Sequence, residues 1–207
     1  MFYGGCAAQS YIFLFLATKW RDVISYWYKM EKPFLSPPYT ITGRSLSLKI
    51  RLIGVVFFVF YLIEHLMFIA MALNDNYHQL MMCNVTEVPF LLNYMRRQRP
   101  HLLDVLPYHW WIFPAFQWTI TCLAFCWNYV DFFIIILSLG ISTRFNQLNE
   151  RLLHTPNHEM DRKFWLEIRL HYTNLVCLLE FIDEQVSLLV LLSMSHNLFL
   201  VCTKIFE

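Results

Sequence analysis

The stretch LIGVVFFVFYLIEHLMFIAMAL, residues 52–73, decides the class of fold. A helix of this length extends about 33 Å, which is enough to cross a hydrocarbon core of about 30 Å. Glu64 and His65 lie side by side near the middle of the run. Ionisable side chains at that depth normally face a bundle interior, a cavity or a partner. The stretch therefore predicts a membrane-spanning helix in a protein with a polar interior.

Composition agrees with a membrane protein. Hydrophobic residues make up 57% of the chain and charged residues only 15%, whereas soluble domains carry about 25% charged residues. The net charge of +1 argues against a nucleic-acid partner, which requires a basic surface. Four of the six cysteines fall in apolar stretches, and no pair has the C-x-x-C spacing of a zinc site: Cys6, Cys122, Cys126 and Cys202.

Four apolar segments predict four membrane spans, at about residues 1–18, 52–73, 108–141 and 186–203. The predicted fold class is an all-α, polytopic helical membrane protein in contact with membrane lipid. A signal peptide is the alternative interpretation of the first segment. We favour a span, because the segment lacks a basic amino-terminal region and a clear small-residue cleavage site.

The distribution of lysine and arginine predicts the orientation of these spans. The loops at residues 19–51 and 142–185 contain twelve of them, whereas the loop at residues 74–107 contains three. Loops rich in lysine and arginine stay in the cytoplasm, so the middle loop is predicted to be extracellular. Asn84 begins an Asn-Val-Thr sequon in that loop and is a predicted glycosylation site.

The third and fourth spans are predicted to continue beyond the bilayer. A helix from Tyr108 to Leu153 would extend roughly 69 Å, and a second helix begins near Asp161 after a break at residues 155–157. The second helix carries an apolar stripe with helical period: Phe164, Ile168, Tyr172, Leu175, Leu179, Ile182 and Val186. The two helices are predicted to form an antiparallel hairpin in the cytoplasm. The alternative is an amphipathic loop that lies on the membrane.

Polar and aromatic side chains recur at helical spacing on three of the spans. They are Tyr61, Glu64, His65 and Phe68 on the second, Gln117, Thr121, Asn128 and Asp131 on the third, and Ser193, His196 and Asn197 on the fourth. Three such stripes together predict a shared wet cavity. The alternative for any one residue is interhelical hydrogen bonding without a ligand.

Depth in the membrane separates these candidates. Glu64 and His65 lie near the midplane, and Gln117 and Trp118 lie in the outer half of the third span. Asp131 lies near the inner boundary, which suits a structural or gating contact. A pocket that combines carboxylate, amide, imidazole and aromatic groups suits a polyhydroxylated ligand, because hydroxyls need donors and acceptors while sugar-ring faces pack on aromatic rings.

Catalytic motifs give no support to an enzyme. The five glycines form no nucleotide-binding loop, and neither G-x-S-x-G nor H-E-x-x-H occurs. Glu64 and His65 point about 100° apart on a helix, which is poor geometry for an acid–base pair. Pro156 separates His154 from His158 and prevents a metal pair on one helix face. No catalytic residue, metal or cofactor is predicted.

Several motifs resemble the insect gustatory receptors of the sugar-receptor, or trehalose-receptor-like, subfamily. They are FCWNYVDFF at residues 125–133, STRFNQLNERL at 142–152, TKWR at 18–21, YKME at 28–31 and IEHL at 63–66. The resemblance covers most of the chain and is weakest at residues 74–107. Glu64, His65, Asn128 and Asp131 lie in or beside these motifs.

The resemblance implies a multi-pass receptor of the sensory-neuron plasma membrane. Members have seven spans, assemble as tetrameric ligand-gated cation channels and carry a cytoplasmic anchor domain. The four spans here would be the second to the fifth, so the chain is expected to be a fragment or a truncated product. Two alternatives stay open: a non-conducting protein that packs against full-length subunits, and an odorant or bitter-type receptor with a more apolar pocket.

Overall fold

A computed structural model describes residues 2–39, 43–82, 89–98, 103, 107, 109–156 and 160–206, and over these residues the chain is helical without a strand. Five α-helices are described: α1 (Phe2–Glu31), α2 (Gly43–Met82), α3 (Phe90–Gln98), α4 (Ile112–His154) and α5 (Arg162–Phe206). A short 3-10 helix, Lys32–Leu35, follows α1. The all-α fold class is confirmed.

Two helices in the described part of the chain are long and apolar enough to cross a membrane, at Leu46–Met82 and Ile112–His154. In the first, only 6% of the most apolar 18-residue window is buried. Apolar side chains that no protein atoms cover need another apolar environment, such as lipid. Membrane crossing by these two helices, and the two further spans at residues 1–18 and 186–203, stay predictions.

Segments predicted as loops are largely helical. Helix α1 continues through Lys19 and Arg21 to Glu31, because Pro33 is the first proline of the chain and disfavours the α conformation in the residue before it. Helix α2 continues nine residues beyond Leu73. Apolar content marks where a helix can lie in lipid, whereas the turn residues mark where it ends. The glycosylation candidate Asn84 lies outside the described residues.

The chain divides into two compact units, one formed by Met1–Val55 with Cys126–Glu207 and one formed by Val56–Phe125. We call them the larger and the smaller unit. The larger unit contains α1, most of α4 and all of α5. The smaller unit contains most of α2, the short helix α3 and the first part of α4.

Helices α1, α4 and α5 form the core of the larger unit. Phe13 contacts Phe133, and further along α1 Trp27 approaches Gly140, so α1 and α4 run in the same direction. On α5 the order is reversed, since Gly5 approaches His196 whereas Tyr26 contacts Phe181. The fully buried members of the core include Val130, Leu178 and Leu189.

Glycine permits the closest approach between α1 and α4. A Cβ atom at Gly140 would lie 2.9 Å from Cζ2 of Trp27, which is shorter than side chains tolerate. The absence of a side chain at Gly140 therefore lets the indole pack directly on the backbone of α4.

A second core lies where α4 ends and α5 begins. Helix α4 ends at His154. The hydroxyl of the next residue, Thr155, donates to the carbonyl of Arg151 at 2.6 Å, and Pro156 follows. Asp161 caps α5, because its Oδ1 accepts from the backbone N–H of Phe164 at 2.8 Å. Both boundaries agree with the break predicted at residues 155–157. The buried residues of this core are Phe34, Tyr39, Leu148, Phe164, Ile168 and Leu175.

The buried face of α5 differs from the predicted stripe at two positions. Tyr172 is 54% exposed and Leu179 is 44% exposed, whereas His171 and Leu178 are buried. From Phe164 to Val186, the buried positions on α5 are Phe164, Ile168, His171, Leu175, Leu178, Ile182 and Val186. Because these positions are mainly four and three residues apart, they lie on one face, which packs on the partner helices. The predicted stripe was wrong at two positions, where it named Tyr172 instead of His171 and Leu179 instead of Leu178.

In the smaller unit, α3 packs on α2 through a buried amide. Asn76 is 1% exposed; its Nδ2 donates to the carbonyl of Phe90 at 3.2 Å, and its Oδ1 accepts from Asn93 at 2.8 Å. Tyr94 of α3 contacts Phe113 of α4 edge to face at 5.8 Å. These contacts join three helices over a segment predicted as a connecting loop.

Candidate functional site

The predicted ligand residues fall into two sets that belong to different units. Tyr61, Glu64, His65, Phe68, Gln117 and Trp118 belong to the smaller unit, whereas Asn128, Asp131, Ser193, His196 and Asn197 belong to the larger one. The single cavity predicted from three stripes stays a prediction, and each set has its own geometry.

In the smaller unit, two of the predicted ligand residues join α2 to α4. The hydroxyl of Tyr61 donates to the backbone carbonyl of Thr121 at 2.9 Å, and Nε2 of His65 lies 2.8 Å from the Thr121 hydroxyl. That hydroxyl donates its own proton to the carbonyl of Gln117, so His65 is the donor and carries its proton on Nε2. The Tyr61 and His65 rings are stacked, with centroids 5.8 Å apart.

The other residues of this set face outward or lack a polar partner. Glu64 is exposed, and Phe68 and Trp118 are 55% and 71% exposed. Gln117 is half-buried, and its Oε1 has no hydrogen-bond partner among the described residues. The face predicted to carry Tyr61, Glu64, His65 and Phe68 together is therefore divided. Tyr61 and His65 are used in the helix contact, whereas Glu64 and Phe68 stay accessible.

In the larger unit, Asp131 binds two residues that were predicted to have a different role from its own. Ser193 donates a hydrogen bond to Oδ1 of Asp131, and Nδ2 of Asn197 lies 3.4 Å from Oδ2. The same Nδ2 lies 3.4 Å from the Ser193 hydroxyl. We call Asp131, Ser193 and Asn197 the polar cluster; it joins α4 to α5. The separate roles predicted for Asp131 (structure or gating) and for Ser193 and Asn197 (ligand binding) stay predictions.

His196 lies in a tight contact of three helices. It is 9% exposed, and its ring centroid lies 3.5 Å from that of Trp127. A Cβ atom at Gly5 would lie 3.3 Å from its Nδ1. Asn128, next to Trp127, is half-buried. His196 is therefore enclosed by α1 and α4.

Sequence reasoning missed a buried ion pair between α1 and α4. Arg144 is 3% exposed, and its guanidinium binds Oε1 of Glu31, with Nε at 2.8 Å. A third donor, Nη1, binds Oε1 of Gln147 at 2.7 Å. The signal was present, since Glu31 ends the YKME motif and Arg144 lies in STRFNQLNERL. Only the fold shows that the two motifs meet.

A second missed network surrounds Arg151. Its guanidinium forms two parallel hydrogen bonds to Glu167, at 3.0 and 2.9 Å, and a third to the Tyr39 hydroxyl at 3.2 Å. Tyr39 in turn lies 2.6 Å from Nδ1 of His171. Because the tyrosine oxygen accepts from Arg151, its own proton is available to His171, whose Nδ1 is then unprotonated. We call Tyr39, Arg151, Glu167 and His171 the arginine network.

The charges of this network shift in directions that follow from burial and pairing. The hydrogen bonds from Arg151 lower the pKa of Glu167, and those bonds raise the pKa of Arg151. Burial raises the pKa of Tyr39 and lowers the pKa of His171. The network is therefore built around a charged Arg151–Glu167 pair and a neutral histidine. Three members of the network, Tyr39, Arg151 and Glu167, line a cavity of about 840 Å³. Its polar lining also includes Gln147, Glu150, His154, Asp161 and Lys163.

Metal binding finds no support in the described part of the chain, where no three histidine, cysteine or acidic side chains are close enough to hold an ion. His158, considered above with His154, lies outside the described residues.

Comparison with known proteins identifies relatives over the whole chain. The trehalose receptor family profile matches residues 1–207. The chain is 35% identical over 203 residues to the gustatory receptor for sugar taste 64a of Drosophila melanogaster. The aligned region covers 97% of this chain and 44% of that receptor.

Two further relatives come from the same species. The chain is 28% identical to the gustatory receptor for sugar taste 64b, over 98% of this chain and 50% of that receptor. It is 26% identical to gustatory receptor 5a for trehalose, over 100% of this chain and 45% of that receptor. The chain thus spans about half the length of the curated relatives it matches.

Proposed function

Because the chain belongs to the trehalose receptor family, we propose that it forms the sugar-sensing part of a gustatory receptor, a ligand-gated cation channel of the sensory-neuron plasma membrane. The observation that carries this proposal is the match of the family profile to residues 1–207. The relatives are named as receptors for sugar taste or for trehalose. The motifs that resemble the sugar receptors, including those that contain Glu64 and Asp131, lie within the range that the family profile matches.

The proposed ligand is a small sugar in a pocket that opens to the outer side of the membrane. Glu64 supports this site, because it is exposed and a carboxylate binds hydroxyls more strongly than neutral acceptors do. Gln117 and Trp118 supply an amide with an unused acceptor and an accessible aromatic face. Tyr61 and His65 act behind them by holding α2 to α4.

The proposed topology has residue 1 outside and the arginine network inside the cell. The twelve lysines and arginines of residues 19–51 and 142–185 support it. The paired charges at Glu31, Arg144 and Arg151, of which Arg144 is buried and the other two are half-buried, also suit a region outside the hydrocarbon core. In the assembled receptor, this part of the chain would serve as an anchor between subunits of a homo- or heterotetramer, while lipid covers the exposed apolar face of α2.

A chimera tests the proposal directly. The matching part of the Drosophila sugar taste 64a receptor is replaced by residues 1–207, and calcium entry is recorded in cells against a panel of sugars, bitter compounds and volatile odorants. Responses confined to sugars are expected. A chimera that reaches the surface and responds only to bitter compounds or odorants would contradict a sugar-sensing role.

A further inference from the structure

A cavity of about 530 Å³ lies between α4 and α5, and all of its lining residues belong to the larger unit. The lining extends along α4 from Ile134 to Phe145 and along α5 from Leu179 to Val190. Most of its side chains are apolar, and three are polar: Ser138, Ser142 and Asp183. A volume of this size falls within the range of small-molecule sites, so the cavity is large enough to hold part of a ligand.

The three polar side chains lie at one level of the cavity. Ser138 and Ser142 are four residues apart and share one face of α4. Asp131 of α4 binds Ser193 of α5, and the two helices run in opposite directions. Ten residues from that bond in the same direction, α5 has reached Asp183 and α4 lies between Ser138 and Ser142. A carboxylate therefore faces the level of two hydroxyl groups.

The charge of Asp183 has no partner in the described part of the chain. Its side chain is exposed, and it forms no hydrogen bond or ion pair with another described residue. Helix α5 has no lysine or arginine between Arg169 and Lys204, and Arg144 of α4 is occupied by Glu31 of α1. The cavity thus presents a negative charge beside apolar side chains, and a cationic group on an apolar ligand complements both.

Under the proposed topology, the polar groups lie at the inner boundary of the membrane. The third span is predicted to end near residue 141 and the fourth to begin near residue 186. The cavity therefore extends into the hydrocarbon core at Ile134 and Val190, and it ends about one turn on the cytoplasmic side at Phe145 and Leu179. An occupant has to be apolar within the core and polar at the level of the headgroups. A phospholipid of the inner leaflet has this distribution.

The polar groups also select among headgroups. A carboxylate only accepts hydrogen bonds and a primary ammonium donates three, whereas the quaternary ammonium of choline has no N–H to donate. Serine hydroxyls donate to phosphate oxygens, and headgroups with a net negative charge are repelled by Asp183. We propose that the cavity binds a phosphatidylethanolamine of the inner leaflet, with its ammonium on Asp183, its phosphate near Ser138 and Ser142, and an acyl chain along the apolar lining.

This inference goes beyond sugar sensing and rests on the membrane topology given under the proposed function. A lipid at this position would join α4 and α5 at the level where both helices leave the bilayer. A lysine or arginine of another protein segment is the alternative partner of Asp183, so the test separates lipid from protein.

The test measures lipid binding to the purified full chain in detergent by native mass spectrometry. The probes are dioleoyl phosphatidylethanolamine and dioleoyl phosphatidylcholine, which differ only in methylation of the amine, so contacts of the acyl chains cancel in the comparison. Asp183→Asn keeps the shape of the side chain and removes its charge. Glu184→Gln is the matched control, because Glu184 is exposed on the same helix and does not line the cavity.

We expect the wild type to bind the ethanolamine lipid at least about ten-fold more tightly than the choline lipid, since a charge-assisted hydrogen bond distinguishes them. Glu184→Gln is expected to retain this preference and Asp183→Asn to lose it. Ser138→Ala with Ser142→Ala is expected to weaken both lipids equally, because both carry the phosphate. Equal binding of the two lipids by the wild type, or an unchanged preference in Asp183→Asn, would overturn the inference.

A photoreactive phosphatidylethanolamine locates the lipid in cells that express a complete receptor containing this chain. Cross-links are expected within residues 134–145 or 179–190. Cross-links confined to other parts of the receptor would overturn the site and indicate that protein covers the cavity. Neither readout requires sugar, so absence of a sugar-evoked current would count against the proposed function and leave the lipid result unaffected.

Discussion

Arg151 shows at the scale of single residues how a half-buried charge can hold a helical junction. Its guanidinium lies 5.0 Å from the ring of Tyr39 and 5.4 Å from that of Phe164, in addition to its hydrogen bonds with Glu167. The fixed fork of arginine is suited to such simultaneous contacts, which a lysine cannot reproduce. One residue therefore links α4, α5 and the segment after α1.

His171 makes the stability of this junction dependent on pH. Because burial lowers its pKa from the ordinary value of 6.5, the unfolded chain takes up a proton at a higher pH than the folded chain does. The contribution is complete above about pH 6.5 and is lost as pH falls from there through the folded-state pKa, with a slope of at most about 1.4 kcal/mol per pH unit. Glu167, whose pKa is lowered from 4.5, adds a second loss only below that value.

Thermal midpoints of the purified chain between pH 4 and pH 8 check this prediction. His171→Asn is expected to remove the pH dependence specific to the wild type between about pH 6.5 and 5, while Glu167→Gln retains it. His154→Asn, on the exposed end of α4, is the control and is expected to follow the wild type. An identical slope in His171→Asn and the wild type would show that His171 is not the responsible group.

Glu64 is the residue on which the sugar site depends most. In a complete receptor that contains this chain, Glu64→Gln loses the charge-assisted bond to a hydroxyl, worth about 1.5–3 kcal/mol, so the half-maximal sugar concentration is expected to rise roughly ten- to hundred-fold. Asp131→Asn is expected to alter maximal current or expression, because Asp131 is bonded to Ser193. Dose–response curves normalised to surface protein provide the measurement.

Two variants test the assignment of Glu64 further. Phe68→Ala is expected to weaken the sugar response. Tyr61→Ala is also expected to weaken it, through loss of the hydrogen bond to Thr121. Ile63→Ala is the control and is expected to leave the midpoint unchanged. An unaltered midpoint in Glu64→Gln would remove this carboxylate from the site.

At the scale of helices, α5 packs at its junction with α4 through buried residues that are spaced four and three positions apart along the helix. Ile168 and Leu175 are 7% and 0% exposed, whereas Tyr172 and Leu179, which lie within one turn of them, are about half exposed. Aspartate at a buried position leaves a charge without a partner and costs several kcal/mol.

Paired substitutions on α5 test this packing. Ile168→Asp with Leu175→Asp is expected to abolish surface delivery, while Tyr172→Asp with Leu179→Asp retains most of it. The readout is surface labelling of a tagged chain relative to total protein. Equal surface levels of the two double variants would show that the inner face is not packed in the cell.

Helical class could be predicted from the sequence because it follows from local apolar content, whereas the full lengths of α1 and α2 could not, since both helices continue into segments predicted as loops. The run at residues 52–73 and the break before Asp161 both appear in the structure. The sequence could not predict which of His171 and Tyr172 is buried, since the two residues are adjacent and both are aromatic. The polar partners depend on packing: Glu31 lies 113 residues from Arg144, and no spacing rule connects them.

The candidate site was predictable only in its composition. The sequence shows that Tyr61, His65, Ser193 and Asp131 are polar groups in apolar surroundings, but it does not show which of them bind one another.

At the scale of the whole molecule, the uneven distribution of basic residues supports the proposed orientation. Ser36 lies between Lys32 and Arg44, in a part of the chain that is rich in lysine and arginine. Residues 74–107 contain few of these residues. Epitope tags inserted at Ser36 are expected to bind antibody only after permeabilisation, and tags inserted between Met82 and Pro89 without it. The reverse pattern would exchange the proposed pocket side with the proposed anchor side.

The most direct test of the sugar-receptor assignment is the whole-cell current of cells that express a complete receptor containing this chain. A brief application of trehalose or another sugar is expected to evoke a reversible cation current that saturates with concentration, and Glu64→Gln is expected to shift its midpoint to higher concentration. Ile63→Ala provides the matched control. Absence of a current with every sugar tested, in cells where surface labelling detects the receptor, would contradict the assignment.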